Sequence, residues 1–378
     1  MDETGTAESK VLDILHRIKE KDVPFERVLS SMCTMPHPLA VKAHTEFIET
    51  NLGDPTIFSG TKELEERVIT MLGSLLHAPN AHGYVTAGGT ESNIQALRAA
   101  RNLSGKAHPN VVIPESAHFS FDKAADVLGM ELRKASLDEE FRVDPASVEV
   151  LTDKNTIALV GIAGTTGLGQ IDPIDELAEI ALSHDLFLHV DAAFGGLVIP
   201  FLDKKYSFDF KVQGVSSMTV DPHKMGASTI PSSALLFRDR ACLDALTTTT
   251  PYLASRAQHT LAGTRTGASI AATYAVFKYL GRSGYKRIVT RCMKLVSMIE
   301  QEAAVMAIPL AIQPVTNVIA LRVNSPEEVA FRLKERNWYV STIFEPKALR
   351  LVVMPHLTEE ILNTFLDDLK DVLGVVKC

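Results

Sequence analysis

The chain has 378 residues and a formal net charge of −8. Such a length can bury a large core and suits one big domain with a smaller one. The acidic balance, with no Lys/Arg-rich run, argues against nucleic acid or an anionic membrane as the main partner and favours small-molecule chemistry. Cys33, Cys242, Cys292 and Cys378 stand far apart with no Cys-x-x-Cys pair, so neither a zinc knuckle nor a disulfide framework is expected, and the thiols read as reduced. The start, Met1-Asp2-Glu3-Thr4-Gly5, lacks the basic and apolar regions of a signal peptide. No apolar run is long enough to span a bilayer, and a cytoplasmic protein is predicted.

Val11, Ile14, Leu15 and Ile18 predict a helix over residues 11–21, which Pro24 ends. Residues 32–54 contain Pro36, His37, Pro38 and a turn at Asn51-Leu52-Gly53-Asp54-Pro55, so residues 1–55 read as an arm suited to packing on a partner subunit. A helix follows over 62–76, with Leu64, Val68, Met71, Leu72 and Leu75 on one face. The short strand Tyr84-Val85-Thr86 then enters Ala87-Gly88-Gly89-Thr90-Glu91-Ser92-Asn93 and a helix over 94–103. Glycines at a strand-to-helix turn let the backbone approach a ligand, and a helix N-terminus offers free N–H groups to a phosphate. An ordinary capped glycine turn has the same pattern.

Strand 111–113 leads through His118 into a helix over 121–128. A strand at 131–135, a helix at 144–151 and a fully apolar strand at 156–163 come next. The loop Gly164-Thr165-Thr166-Gly167-Leu168-Gly169 does not fit the Gly-x-Gly-x-x-Gly dinucleotide fingerprint. Asp172-Pro173-Ile174-Asp175-Glu176 starts a helix that ends near His184. The apolar strand over 186–190 ends on Asp191, and Ser216-Ser217-Met218-Thr219-Val220 delivers Asp221-Pro222-His223-Lys224 at another strand end. Alternating strands and helices imply an α/β fold with parallel strands, whose ligands sit beyond the strands' carboxyl ends. Gly89, His118, Thr165 and Asp191 all fall there.

A lysine amine and a carboxylate at such positions suit pyridoxal phosphate. The amine forms a Schiff base with the aldehyde, and the carboxylate keeps the pyridine nitrogen protonated. Either residue alone reads equally as a surface lysine or a helix cap. Beyond Lys224 the sequence predicts a strand at 233–237, a polar loop over 247–252 and a helix over 268–280. From residue 284 a helix, two strands, a helix, two strands and a helix form a small α+β domain, leaving 56–283 as the large domain and 284–378 as the small one.

Together, Gly-Gly-Thr-Glu-Ser-Asn, His-Phe-Ser-Phe-Asp-Lys-Ala, His-Val-Asp-Ala-Ala, Asp-Pro-His-Lys-Met-Gly and Gly-Thr-Arg-Thr-Gly resemble the group II pyridoxal phosphate-dependent decarboxylases, nearest to the archaeal tyrosine/aspartate decarboxylase family. The resemblance implies the aminotransferase-like fold type I, with a mainly parallel seven-stranded sheet in the large domain, and a homodimer with shared active sites. It implies Lys224 as the Schiff-base lysine, Asp191 at the pyridine nitrogen and His118 stacked on the ring. Gly89 and Thr90 would cradle the phosphate, His223 would stand beside the lysine, Thr165 near the ring oxygen and Ala193 beneath the ring. Tyr252 is the expected proton donor from the partner subunit. Arg350 resembles an arginine that contacts a substrate carboxylate, although a surface ion pair explains it as well, and His37 is a further substrate-site candidate. In that family tyramine feeds methanofuran synthesis and β-alanine feeds coenzyme A. The rivals are a sphingosine-phosphate-lyase-like enzyme, a glutamate decarboxylase, a desulfurase and a non-catalytic cofactor sensor. The last two are disfavoured, since no cysteine sits in an obvious catalytic loop and no basic domain precedes the fold.

Overall fold

In the computed structural model, which describes residue 1 and residues 3–374, the chain begins with helices α1 (Glu8–Lys19) and α2 (Pro38–Glu46). Asp2 and Cys378 lie outside the described residues. Helical spacing of its apolar residues makes α1 amphipathic, yet it buries none of them. Val11, Leu12, Ile14, Leu15 and Ile18 are 41% to 54% exposed. The stretch after it behaves differently. Leu29 is fully buried, Leu29 N donates to Tyr339 O, and Val352 N donates to Leu29 O. Part of the expected arm is therefore woven into the C-terminal part of its own chain.

The next elements are α3 (Ser59–Leu75), β1 (His82–Thr86), α4 (Gly89–Ser104), β2 (Asn110–Pro114), α5 (Ser120–Leu128), β3 (Glu131–Ala135) and α6 (Pro145–Leu151). They continue with β4 (Thr156–Ile162), α7 (Ile174–Ser183), β5 (Phe187–Asp191), β6 (Val215–Val220) and β7 (Ser233–Phe237). The strands form one seven-stranded sheet in the order β1-β7-β6-β5-β4-β2-β3. Pairing is parallel from β3 to β6, whereas β7 runs antiparallel to both β6 and β1, so six strands share one direction. Strands β2, β4 and β7 are buried along their whole length, as strands covered on both faces must be.

After α8 (Arg240–Asp244), the threonine run expected as an irregular loop contributes to a small hairpin, β8 (Thr248–Thr249) with β9 (Ala257–Gln258). The two helices expected around residue 283 form one element, α9 (Ala268–Val305), kinked at Gly281 where φ is +56°. That backbone conformation favours glycine. The remaining elements are β10 (Val318–Leu321), α10 (Pro326–Glu335), β11 (Ser341–Ile343), β12 (Ala348–Val352) and α11 (Glu359–Leu373), with a three-stranded antiparallel sheet ordered β10-β12-β11. Residues 310–323, expected as two strands, yield only β10. Leu310 joins it by a single bridge to Leu321.

Candidate active site

Shared strand direction brings the ends of β1, β2, β4, β5 and β6 to one edge of the sheet, where a cavity of about 450 Å³ opens. Gly89, Thr90, His118, Asp191, Ala193, His223 and Lys224 all line it. Register fixes the centre of the cluster, since Asp191 pairs with Ile162 on one side and Thr219 on the other.

Lys224 Nζ lies 3.0 Å from Asp221 Oδ2. Burial alone would lower the ammonium, but the charges of Asp221 and Asp191 outweigh it and raise the lysine above its ordinary value. Asp191 is buried, with Oδ1 accepting from Ala193 N at 3.0 Å and Oδ2 from Asn93 Nδ2 at 2.9 Å. Burial pushes its carboxyl up, against the pull of Lys224 and the two N–H donors. His118 Nδ1 accepts from Ser120 N at 3.2 Å, and burial lowers its imidazole. His223 is pinned through Nδ1 to Ser232 O, with Nε2 3.7 Å from Asp221. Burial would lower His223, yet its hydrogen bond with Cys33 and the charge of Asp221 raise it.

Helix α4 starts at this cavity without a side-chain cap, so its first N–H groups are left for a ligand. A Cβ at Gly89 would lie 3.0 Å from Asp221 Oδ2 and 3.2 Å from Oδ1, which explains why glycine stands there. An anion-binding helix end, a carboxylate and a lysine amine around one cavity, with the small Ala193 on its wall, fit pyridoxal phosphate group by group.

Four predicted residues lie outside this cluster. Thr165 is buried in the turn after β4, where its Oγ1 accepts from Gln170 N, and its neighbour Thr166 lines the cavity instead. The side chain of His37 caps α2 by accepting from Leu39 N, with its ring against Tyr279. Tyr252 is 85% exposed on the loop joining β8 and β9 and does not line this cavity. Arg350 stands behind the cavity wall, donating to Thr166 O at 2.7 Å, Ser30 O at 2.9 Å and Ser341 Oγ at 2.9 Å. Being buried, with no salt-bridge partner among the described residues, it is not the strand-end arginine of a surface ion pair.

Sequence reading passed over Asp221, Asn93 and Glu91. Asp221 sits one turn before Lys224 within the same motif, the spacing at which a carboxylate reaches a lysine. Asn93 and Glu91 belong to the Gly-Gly-Thr-Glu-Ser-Asn run, and both line the cavity. Glu91 Oε2 accepts from Ala87 N and so closes the turn ahead of α4.

Residues 25–307 match the family described as the pyridoxal-dependent decarboxylase conserved domain. The chain is 55% identical over 371 residues to a probable L-tyrosine/L-aspartate decarboxylase of Methanothrix thermoacetophila, covering 98% of this chain and 97% of that one. It is 52% identical over 363 residues to a probable L-aspartate decarboxylase of Archaeoglobus fulgidus, covering 96% and 99%. Among solved structures, the sphingosine-1-phosphate lyase of Burkholderia pseudomallei superposes with a TM-score of 0.91 at 26% identity, over 99% of this chain and 92% of that one. The glutamate decarboxylase of Lactobacillus brevis superposes with a TM-score of 0.90 at 21% identity, over 100% and 95%, a likeness of fold.

Proposed function

The chain belongs to the pyridoxal-dependent decarboxylase family, and from that premise we propose that it releases the α-carboxylate of L-tyrosine, L-aspartate or both as carbon dioxide. The observation that carries this reading is the convergence of Lys224, Asp191 and His118 on one cavity beside an uncapped helix N-terminus. Bound pyridoxal phosphate supplies an electron sink for the pair of electrons left at the α-carbon when the carboxylate departs.

The protein's residues do the rest. The N-terminus of α4 at Gly89 and Thr90 would hold the phosphate of bound pyridoxal phosphate, and the Lys224 amine would hold its aldehyde. Asp191 would keep a proton on the ring nitrogen, and His118 and Ala193 would line the part of the cavity that receives the ring. Asp221, 3.0 Å from the Lys224 amine, favours its protonated form. Thr166, which lines the cavity where Thr165 does not, would be the threonine available to the ring oxygen. Arg350 offers Nη2, which has no protein partner among the described residues, to a substrate carboxylate.

Replacing the carboxylate by hydrogen takes up one proton per turnover. Tyr252 donates it from the partner subunit, a reading supported by its exposure in its own chain. The uncovered apolar stripe of α1 supports the same homodimer. No helix among the described residues is long and apolar enough to cross a membrane, in keeping with a cytoplasmic enzyme. Tyramine for methanofuran and β-alanine for coenzyme A are the fitting products. The test incubates the loaded protein with each amino acid and identifies the amine and the carbon dioxide, then maps the borohydride-fixed cofactor. Label on Lys224 with tyramine or β-alanine formed supports the proposal. Label elsewhere, or an aldehyde from a phosphorylated sphingoid base in place of an amine, overturns it.

A further inference from the structure

We propose that Asn93 is a positioning residue, whose side-chain amide holds Asp191 as the charged acceptor for the ring nitrogen of pyridoxal phosphate. The inference rests on the role given to Asp191 above.

Asn93 lies one turn into α4, is 1% exposed and engages both ends of its amide. Nδ2 donates to Asp191 Oδ2 and to Ser120 Oγ, each at 2.9 Å. Oδ1 accepts from Thr219 Oγ1 at 2.8 Å and from His189 Nε2 at 3.1 Å. With the amide reversed, its carbonyl would face the Asp191 carboxylate, acceptor against acceptor, so the network sets its orientation. The tautomer of His189 follows. Because Asn93 Oδ1 can only accept, Nε2 carries the ring proton, and Nδ1 accepts from Ser217 Oγ at 2.7 Å. Burial depresses His189 to about 3, so the ring is neutral.

Every donor in this chain points the same way, from Ser217 to His189, from His189 to Asn93 and from Asn93 to Asp191. Such aligned hydrogen bonds polarise one another in a dry interior. Asp191 is the terminus of the chain, with Ala193 N on its other oxygen. Burial alone favours a neutral carboxyl at this depth, and the charge of Lys224 together with these N–H donors opposes it. Register explains how the fold assembles the relay. His189 pairs with Ser217, and Asp191 with Thr219, so alternate residues of β5 and β6 present all four side chains on the sheet face that α4 covers.

The test measures, by equilibrium dialysis of the full chain, affinity for pyridoxal phosphate and for its 1-deaza analogue, in which C–H replaces the ring nitrogen. Wild type should prefer the natural cofactor by about tenfold or more, as a hydrogen bond to a charged group allows. Asn93→Asp is nearly isosteric and places a second carboxyl against Asp191, so that the two share a proton. The preference should fall to within about threefold while affinity for the deaza analogue changes by less than about threefold. Should Asn93→Asp fail to fold by circular dichroism, Asn93→Ala, which removes the donor without adding charge, is held to the same criterion. A purely structural role would weaken both ligands alike and leave the ratio intact, and that result overturns the inference. Absence of any preference in wild type overturns the role of Asp191 itself, and the inference with it.

Discussion

Arg350→Met separates substrate binding from folding. The side chain is 6% exposed, and burial lowers its guanidinium to about 10 from an ordinary value of 12.5. At about 1.4 kcal/mol per pH unit, the fold disfavours this cation by about 3 kcal/mol. Methionine removes that burden but leaves Thr166 O, Ser30 O and Ser341 Oγ without their donor, at about 1 kcal/mol each. The opposing effects nearly cancel, so the unfolding free energy in urea should change by less than about 2 kcal/mol. Fluorescence of Trp338, the sole tryptophan and fully buried, reports it. Catalysis should respond otherwise. A charge-assisted hydrogen bond from Nη2 to a substrate carboxylate contributes about 1.5 to 3 kcal/mol, so KM in a carbon dioxide release assay should rise about 10- to 100-fold. If stability instead drops by more than about 3 kcal/mol while KM stays put, Arg350 is a strap between the N-terminal segment and β12, and the reasoning fails.

Three further outcomes follow from the same geometry. The folded value of His189, about 3, lies below its unfolded value near 6.5, so between them the unfolded chain binds the extra proton. Stability from this group is complete above about pH 6.5 and declines on acidification, by about 2 kcal/mol at pH 5. His189→Gln should shrink the loss of urea stability between about pH 7 and pH 5 by that amount, and an unchanged slope would contradict the assignment. Gly89→Ala should raise the dissociation constant of pyridoxal phosphate about tenfold, because its Cβ meets the Asp221 carboxylate and overpacking of this kind costs about 1 to 3 kcal/mol. Unaltered binding by dialysis would show that the carboxylate yields. Tyr252→Phe should slow amine release and convert more cofactor to the pyridoxamine form, seen by chromatography of the released cofactor; an unchanged product partition removes Tyr252 from the reaction.

Much of the large domain was legible because its strands are near-continuous apolar runs punctuated by glycine, proline and acidic helix starts. Strands at Glu131–Ala135 and Ser233–Phe237 have the ends expected of them, and Lys224, Asp191 and His118 meet in one cavity as strand-end placement requires. Tertiary context decided the rest. Nothing local distinguishes the apolar stripe of α1, which its own chain leaves exposed, from Leu29, which is buried beside Tyr339. The antiparallel course of β7 likewise depends on a connection through Lys224 whose path no periodicity encodes.

Thr165 and Thr166 show the limit most sharply. Both follow β4, both carry a hydroxyl, and a strand-end rule selects them equally. What separates them is the turn. Gly164 adopts a φ of +95°, its N–H and that of Thr165 both donate to Gln170 O, and Thr165 Oγ1 accepts in return from Gln170 N. These bonds fold the Thr165 side chain inward and leave Thr166 on the cavity, with its carbonyl held by Arg350. Gln170 and Arg350 are five and 185 residues away from Thr165, so side-chain direction at a strand end is set by partners that a motif does not contain. The same holds for Asn93, whose orientation is dictated by residues of β5 and β6 rather than by the helix that carries it.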